Sequence, residues 1–314
     1  MPTNASQVHV DAALTNVSVA YARQGFIAAS LAPEVNVMKQ SDKYYKLDVE
    51  NERARQEDVA RAPGARANET NFITTTDSYF ADDHALEHVV PDEIRQNADP
   101  AIQADIDGTE FVTDKITLDR EIDLFAKLDA GITNAAAVSN GVWSLDTSTP
   151  IADVRNARAT IIRNILAVPN VLGISFEAFE ALANHPEILD RVKYGGAPGS
   201  AAVITEQALA QVFQVDRVLV GKAYKNTAAK GATASNSAVM GTTAYLGWVP
   251  ERVGLRQPTL AATFAWNPGG GVQAWLVEKW REDPRKSDVL RVSYYYDQKV
   301  ILAAAGFRIT GVTS

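Results

Sequence analysis

Residues Asp99 to Asn134 read DPAIQADIDGTEFVTDKITLDREIDLFAKLDAGITN, and the reading of this stretch decides the fold. Ile102, Ile106, Val112, Ile116, Leu118, Ile122, Phe125, Leu128 and Ile132 recur near the helical period. Asp105, Glu110, Asp114, Lys115, Asp119, Arg120, Glu121 and Lys127 fall on the other faces. Pro100 suits a first helical turn, and Asp99 is its expected N-cap. At 1.5 Å per residue such a helix reaches about 50 Å. That is long for a globular domain and suits a structural spine. Gly108 falls inside it and marks an expected bend. Asp105-Ile-Asp-Gly108 has part of a calcium-loop pattern, but the downstream spacing fails, so it reads as surface charge.

Working towards the N-terminus, Pro91-Asp-Glu-Ile starts a short helical region. Lys43 to Val49 and Asn71 to Thr76 read as strands, the second favoured by the β-branched run from Ile73. Between them lie Glu50, Glu52, Arg53, Arg55, Glu57, Asp58, Arg61 and Arg66, broken by Pro63-Gly64. This insert is too polar to pack a core and longer than most connections in compact domains. It is either a solvated loop or a long hairpin that orders against a neighbouring subunit. Exposed ion pairs contribute only about 0–1 kcal/mol each, so the second reading needs many copies. The first thirty or so residues read as an arm, with a short helix from Leu14 to Phe26 ending near Gly25.

Working towards the C-terminus, Ser139 to Pro150 is a loop, followed by alternating helices and short apolar strands. Helices are expected at Ala152–Ala167, at Phe176–Asn184 behind a Ser175 cap, and at Thr205–Phe213. Strands are expected at Pro169–Ile174 and Arg217–Gly221. His185-Pro186 breaks a helix, and the small-residue run Thr227–Thr243 reads as a loop. Strands follow at Ala244–Val249, Thr259–Trp266 and Val272–Lys279, the last two joined by Asn267-Pro-Gly-Gly-Gly271. A terminal group occupies Val289–Tyr296, Val300–Ala304 and Phe307–Val312. In Tyr294-Tyr295-Tyr296, strand alternation puts the middle ring opposite the other two, which reads as core plus interface.

The 314 residues are 46% hydrophobic, enough for a sizeable core, and contain no cysteine, which excludes disulfides and thiolate metal sites. The net charge is −8 and the pI about 5.1, without a basic run of the kind that grips phosphates, so any contact with DNA is loose and does not read sequence. The N-terminus lacks signal-peptide regions, and there is no apolar run of membrane-spanning length; the chain reads as cytosolic when made. His84-Ala-Leu-Glu-His88 matches the H-x-x-E-H pattern of inverted zincins. On a helix His84 and His88 would share a face with Glu87 as base, but Pro91 limits that helix and no third ligand can be chosen. A short solvated helix is the preferred reading. No catalytic, cofactor-binding or metal residue is assigned.

The order of these segments resembles the major capsid proteins of tailed bacteriophages, the Hong Kong 97 type. Gly108-Thr-Glu-Phe-Val-Thr-Asp-Lys-Ile-Thr-Leu-Asp-Arg-Glu-Ile122 is similar to that family's spine helix. Pro169-Asn-Val-Leu, His185-Pro186-Glu-Ile188 and Val215-Asp-Arg-Val-Leu-Val-Gly-Lys-Ala223 resemble segments of its axial domain. Arg291-Val-Ser-Tyr-Tyr-Tyr-Asp-Gln-Lys-Val-Ile301 and Ala305-Gly-Phe-Arg-Ile309 resemble the return to the sheet. The resemblance implies an α+β fold with an N-terminal arm (1–34), an extended loop (35–76), a peripheral domain with the spine (77–150), an axial α/β domain (151–285) and returning strands (286–314). It implies a structural protein, not an enzyme, whose copies form pentamers and hexamers of an icosahedral shell around double-stranded DNA. The virion would be its location, after synthesis in the host bacterial cytoplasm. A separate scaffolding protein is expected, because the loop starts near residue 35 and leaves no room for a built-in scaffold; a portal and a decoration protein are further partners. Residues 43–75 would lie across a neighbour, with Tyr44, Tyr45, Arg53, Arg55, Glu57, Arg61 and Arg66 at the contact, and Gly108 would be a hinge. An encapsulin-like nanocompartment is the main alternative, and a zinc hydrolase on His84, Glu87 and His88 the lesser one.

Overall fold

A computed structural model describes residues 9–10, 14, 25–47, 56, 59–61, 63–64, 66–69, 74–97, 103–195, 204–253, 259–269 and 274–313. In chain order, strand β1 (His9–Val10) is followed by a single helical turn, α1 (Ala28–Leu31), and by β2 (Glu34–Val37). Strands β3 (Ser41–Leu47), β4 (Thr74–Phe80) and β5 (Asp82–Pro91) lead into the short helix α2 (Asp92–Asn97) and the spine α3 (Ala104–Gly131). Then come β6 (Ala135–Ala137), α4 (Pro150–Ile165), β7 (Val171–Ser175), α5 (Phe176–Ala183), α6 (Pro186–Gly195), α7 (Glu206–Phe213) and β8 (Arg217–Gly221). The chain closes with β9 (Tyr224–Asn226), β10 (Asn236–Ala238), β11 (Thr243–Gly247), β12 (Ala261–Trp266), β13 (Trp275–Glu282), β14 (Ser287–Val300) and β15 (Gly306–Thr310).

Two sheets carry the mixed architecture. The first has the order β1-β13-β14-β12-β2, with β5 also on β14. The second has the order β6-β15-β11-β7-β8. Helices α4, α5 and α7 cover the second sheet around a core that includes Ile161, Ile165, Leu172, Ile174 and Phe213. Ser175 accepts the Ala178 N–H at the start of α5, and Thr205 does the same for Ala208 at α7.

The spine joins the two sheets. Val112 and Ile116 pack on Leu290, Val292, Tyr294 and Tyr296 of the first sheet. Leu124, Phe125 and Leu128 pack with Ile27 and Leu31 of the arm and with Tyr245 of the second sheet. Burying a side chain of this size contributes roughly 1.5–3 kcal/mol, so the apolar stripe along one helix ties both cores together.

Several expectations change. The spine starts at Ala104 behind Gln103, which makes no side-chain cap; Asp99 and Pro100 lie outside the described residues. At 28 residues it spans about 42 Å. The expected helix from Leu14 to Phe26 lies almost wholly outside the described residues; Leu14 is buried beside Val112. His84–His88 is not a helix. It lies inside β5, which pairs antiparallel with β14 over ten rungs, from Ser287↔Pro91 to Tyr296↔Asp82. A pairing about 200 residues away in sequence overrides local preference. Val300 belongs to β14, and Ala303–Ala305 form a 3-10 turn instead of a strand. Within Thr227–Thr243, Asn236–Ala238 fold back on Tyr224–Asn226 as a small ribbon. The sheets also cut across the segments expected from chain order. Strands β12 and β13, inside 151–285, pair with β14, whereas β15, inside 286–314, joins the second sheet.

Candidate assembly surface

Strands β3 and β4 pair antiparallel from Ser41↔Phe80 to Leu47↔Thr74, so the two expected strands form a hairpin whose root reaches back to Ser41 and on to Phe80; residues 48–49 and 71–73 lie outside the described residues. Its root is anchored by aromatic stacking. Tyr79 lies on Phe264 of β12 with ring centroids 4.6 Å apart, and Tyr44 tilts onto the same ring at 5.1 Å. The Ala81 N–H donates to the Gln40 carbonyl at 2.9 Å, and the Gln40 amide donates back to the Ala81 carbonyl at 3.0 Å. The Phe80 N–H donates to Asp297 at 3.1 Å, and the Trp266 indole donates to the Met38 carbonyl at 3.3 Å.

Along the ribbon, Lys46 pairs with Asp77, and the Tyr44 hydroxyl donates to the same carboxylate at 3.2 Å. The Lys46 bond holds the Asp77 carboxyl below its ordinary range, while burial, reinforced by Asp77, pushes the Tyr44 phenol up. The structure therefore splits the two tyrosines. Tyr44 turns in as an anchor, whereas Tyr45 is 60% exposed. Arg61 and Arg66 are exposed beyond the ribbon, and Arg53, Arg55 and Glu57 lie outside the described residues. Sequence reasoning misses Met38, 99% exposed, and Phe80, 50% exposed, which flank the root. Both lie beyond the expected strands, which end at Thr76 and begin at Lys43.

Beneath the hairpin, Tyr294 and Tyr296 of β14 face the spine and are buried, while Tyr295 faces away and is half-buried. Tyr294 stacks on Trp275 at 4.3 Å and carries the Arg120 guanidinium over its ring at 5.4 Å. Gly108 lies against the His88 ring, where an added Cβ would meet Cδ2 at 2.6 Å. Nearby, Thr109, Thr113 and Thr117 each donate to the carbonyl four residues back, at 2.8, 2.7 and 2.8 Å. Back-bonding of this kind bends helices.

The zincin-like residues are not assembled as a metal site. Four residues along a strand separate His84 from His88 by about 13 Å, and Glu87 points to the opposite face, opposite Arg291. His84 stacks on Tyr296 at 4.0 Å, and His88 packs on Gly108 and edge-on to Phe111. His185 is buried at the junction of α5 and α6. Its Nε2 lies 3.1 Å from Ser148 Oγ and 3.2 Å from the Leu145 carbonyl, and its Nδ1 accepts the Glu187 N–H. It ties the 145–148 loop to α6. Among the described residues, no helix is long and apolar enough to cross a membrane.

No family model matches the chain. A phage-related protein from Bordetella bronchiseptica RB50 superposes with a TM-score of 0.74 at 24% identity, over 96% of this chain and 97% of its own. The mature capsid protein of bacteriophage PhiM1 superposes with a TM-score of 0.59 at 13% identity, over 92% and 88% of the two chains. This chain has the Hong Kong 97-type α+β fold. The same fold extends to the holo-SrpI encapsulin complex of Synechococcus elongatus, with a TM-score of 0.58 at 11% identity over 96% and 95%. In sequence, the chain is similar to the major capsid protein of Burkholderia phage BcepMu, 26% identical over 96% of both chains. It is also similar to that of Pseudomonas phage JBD67, 27% identical over 71% of both.

Proposed function

We propose that this chain is a major capsid protein whose copies close an icosahedral shell around double-stranded phage DNA. The observation that carries the reading is a Hong Kong 97-type fold with a hairpin anchored at its root and apolar side chains exposed beside it. Tyr79 and Tyr44 hold one end on Phe264, while Tyr45, Phe80 and Met38 stand in solvent. A lone two-stranded ribbon is marginal in water, and exposed apolar side chains beside it fit a surface completed by another copy. The role is structural; no reaction is assigned. The first sheet with the spine acts as the peripheral domain, and the second sheet with α4 to α7 as the axial domain. Pentamers and hexamers of the chain, a separate scaffolding protein, a portal and a decoration protein are the expected partners. Contact with the packaged DNA is non-specific, in keeping with a net charge of −8.

The similarity in fold to an encapsulin supports a second reading, a nanocompartment that holds protein cargo. Expression with the neighbouring genes, negative-stain electron microscopy and nuclease digestion separate the two. Closed shells carrying nuclease-protected DNA are expected. Shells filled with protein and free of DNA would move the chain to the nanocompartment reading, and a uniform monomer or dimer under every condition would sink both.

A further inference from the structure

We propose that Glu121 is the positioning residue that sets the angle at which the extended loop leaves the subunit, and so the curvature at which shells close. The proposal rests on the capsid reading.

Residues 25–37 form a strap across three parts of the molecule. The Gly25 carbonyl accepts the Lys222 N–H at 2.9 Å, beside the second sheet. Further on, the Ala32 carbonyl accepts the Thr263 hydroxyl and the Pro33 carbonyl accepts the Thr263 N–H, each at 3.0 Å. Glu34–Val37 then runs parallel to β12, and Ser41 opens the hairpin.

Between these ends the strap is held by one side chain of the spine. Glu121 is fully buried, and each carboxylate oxygen accepts a backbone N–H, from Ile27 at 3.0 Å and from Ala28 at 2.8 Å. These are N–H groups at the start of α1, which no helical carbonyl can serve. A single turn of helix does not hold itself in water; Ile27 and Leu31 bury it against the spine, and the carboxylate fixes the direction of its backbone start. Its neighbour Arg120 reaches the other end of the strap. The guanidinium covers the Tyr294 ring and lies 3.9 Å from the Glu34 carboxylate, to which the Tyr294 hydroxyl donates at 2.7 Å. Two consecutive spine residues thus pin residues 27–28 and 34, and the loop root follows directly.

The ribbon acts as a lever. Strand β3 alone spans seven residues, roughly 23 Å, so a tilt of about 10° at its root moves the far end by roughly 4 Å. A displacement of that size at a repeated contact changes which closed geometry the copies can reach.

Glu121→Gln keeps the shape but leaves one acceptor and turns an amide donor towards a backbone donor. The expected outcome is a folded subunit whose assemblies lose the single diameter class of the unsubstituted chain, read by negative-stain microscopy and sedimentation velocity. Glu121→Asp keeps two acceptors on a shorter stem and should give folded subunits with a shifted diameter. Lys115→Gln, exposed on the same helix, should leave the diameters unchanged. Shells of unchanged diameter from both Glu121 variants would overturn the proposal. Loss of folding in both would make Glu121 a stability residue only and would overturn it equally. Absence of shells from the unsubstituted chain, both alone and expressed with its neighbouring genes, would sink the capsid reading, and this joint with it.

Discussion

Phe264 carries more of the hairpin root than any residue of the hairpin itself. It is 7% exposed and lies under both Tyr79 and Tyr44. Phe264→Ala should therefore destabilise the subunit by about 3 kcal/mol and loosen residues 41–80, which limited proteolysis would detect as cleavage confined to that segment. Cleavage unchanged from the parent chain would mean that the backbone bonds at Gln40 and Ala81 suffice. This role was only half legible. Alternation identifies Tyr294 and Tyr296 as sharing a face, because period-two patterning is local, but β12 is buried on both faces from Ala261 to Ala265 and gives Phe264 no such mark. Its partner Tyr79 lies about 185 residues earlier, and no local pattern pairs them. Glu121 was less legible still. A glutamate among Asp119, Arg120 and Asp123 reads as part of a solvated face, and only the packed arm shows that it is buried.

Among the elements, the spine was the most legible, because its apolar period runs on for seven turns; its bend was expected at Gly108. The structure gives that glycine another use, close approach to His88. Alanine in a helix interior is favoured over glycine by about 1 kcal/mol, but here its Cβ would collide with the imidazole. Gly108→Ala alone should lower stability by about 1 kcal/mol or more. In a His88→Ala background the same change should stabilise, giving a non-additive cycle in thermal or denaturant melts. Additive effects would return Gly108 to a purely conformational role. Strand β5 was misread because the mixed run Asp82–Pro91 shows no regular period of its own; its ladder with β14 makes it.

At the spine's entry, Arg95 bonds Asp288 and Asp105, each at 2.7 Å, while Lys279 bonds Asp105 at 2.8 Å and Arg281 clamps Asp92 at 2.6 Å. The Arg281 bond holds the Asp92 carboxyl below its ordinary value of 3.8. Burial pushes Asp105 and Asp288 up, but bonds from Lys279, Arg95 and Arg281 outweigh it and leave both below 3.8. With folded values below unfolded ones, the contribution is fully present above the unfolded value and is lost as pH falls through the folded values. Stability should thus decline on acidification below about pH 4. Asp288→Asn should lower stability at neutral pH by about 1 kcal/mol after solvent screening and flatten that decline. An unchanged acid slope in the variant would show that other carboxyls govern it.

Across the whole molecule, charge and exposed apolar surface make opposite demands on assembly. A chain of net charge −8 repels its copies, and the ribbon's own charges are partly spent internally, as Lys46 with Asp77 and Lys39 with Asp42. Beside these pairs stand exposed apolar side chains, Met38, Tyr45 and Phe80 at the hairpin and Leu86 and Phe111 along the spine's flank. Attraction between subunits should then be mainly hydrophobic. Near room temperature that driving force is entropic and strengthens on warming, and salt acts chiefly by screening repulsion, since the Debye length shrinks to about 3 Å at 1 M. Assembly of purified subunits, followed by light scattering, should accelerate between 5 and about 30 °C and persist in 1 M sodium chloride. Tyr45→Ser should leave the subunit's melting within about 0.5 kcal/mol of the parent. A loss of about 1 kcal/mol per contact would raise the threshold concentration for assembly roughly fivefold. Shells that dissolve at high salt, with a threshold indifferent to Tyr45, would instead assign the contact to ion pairs between the charged loops.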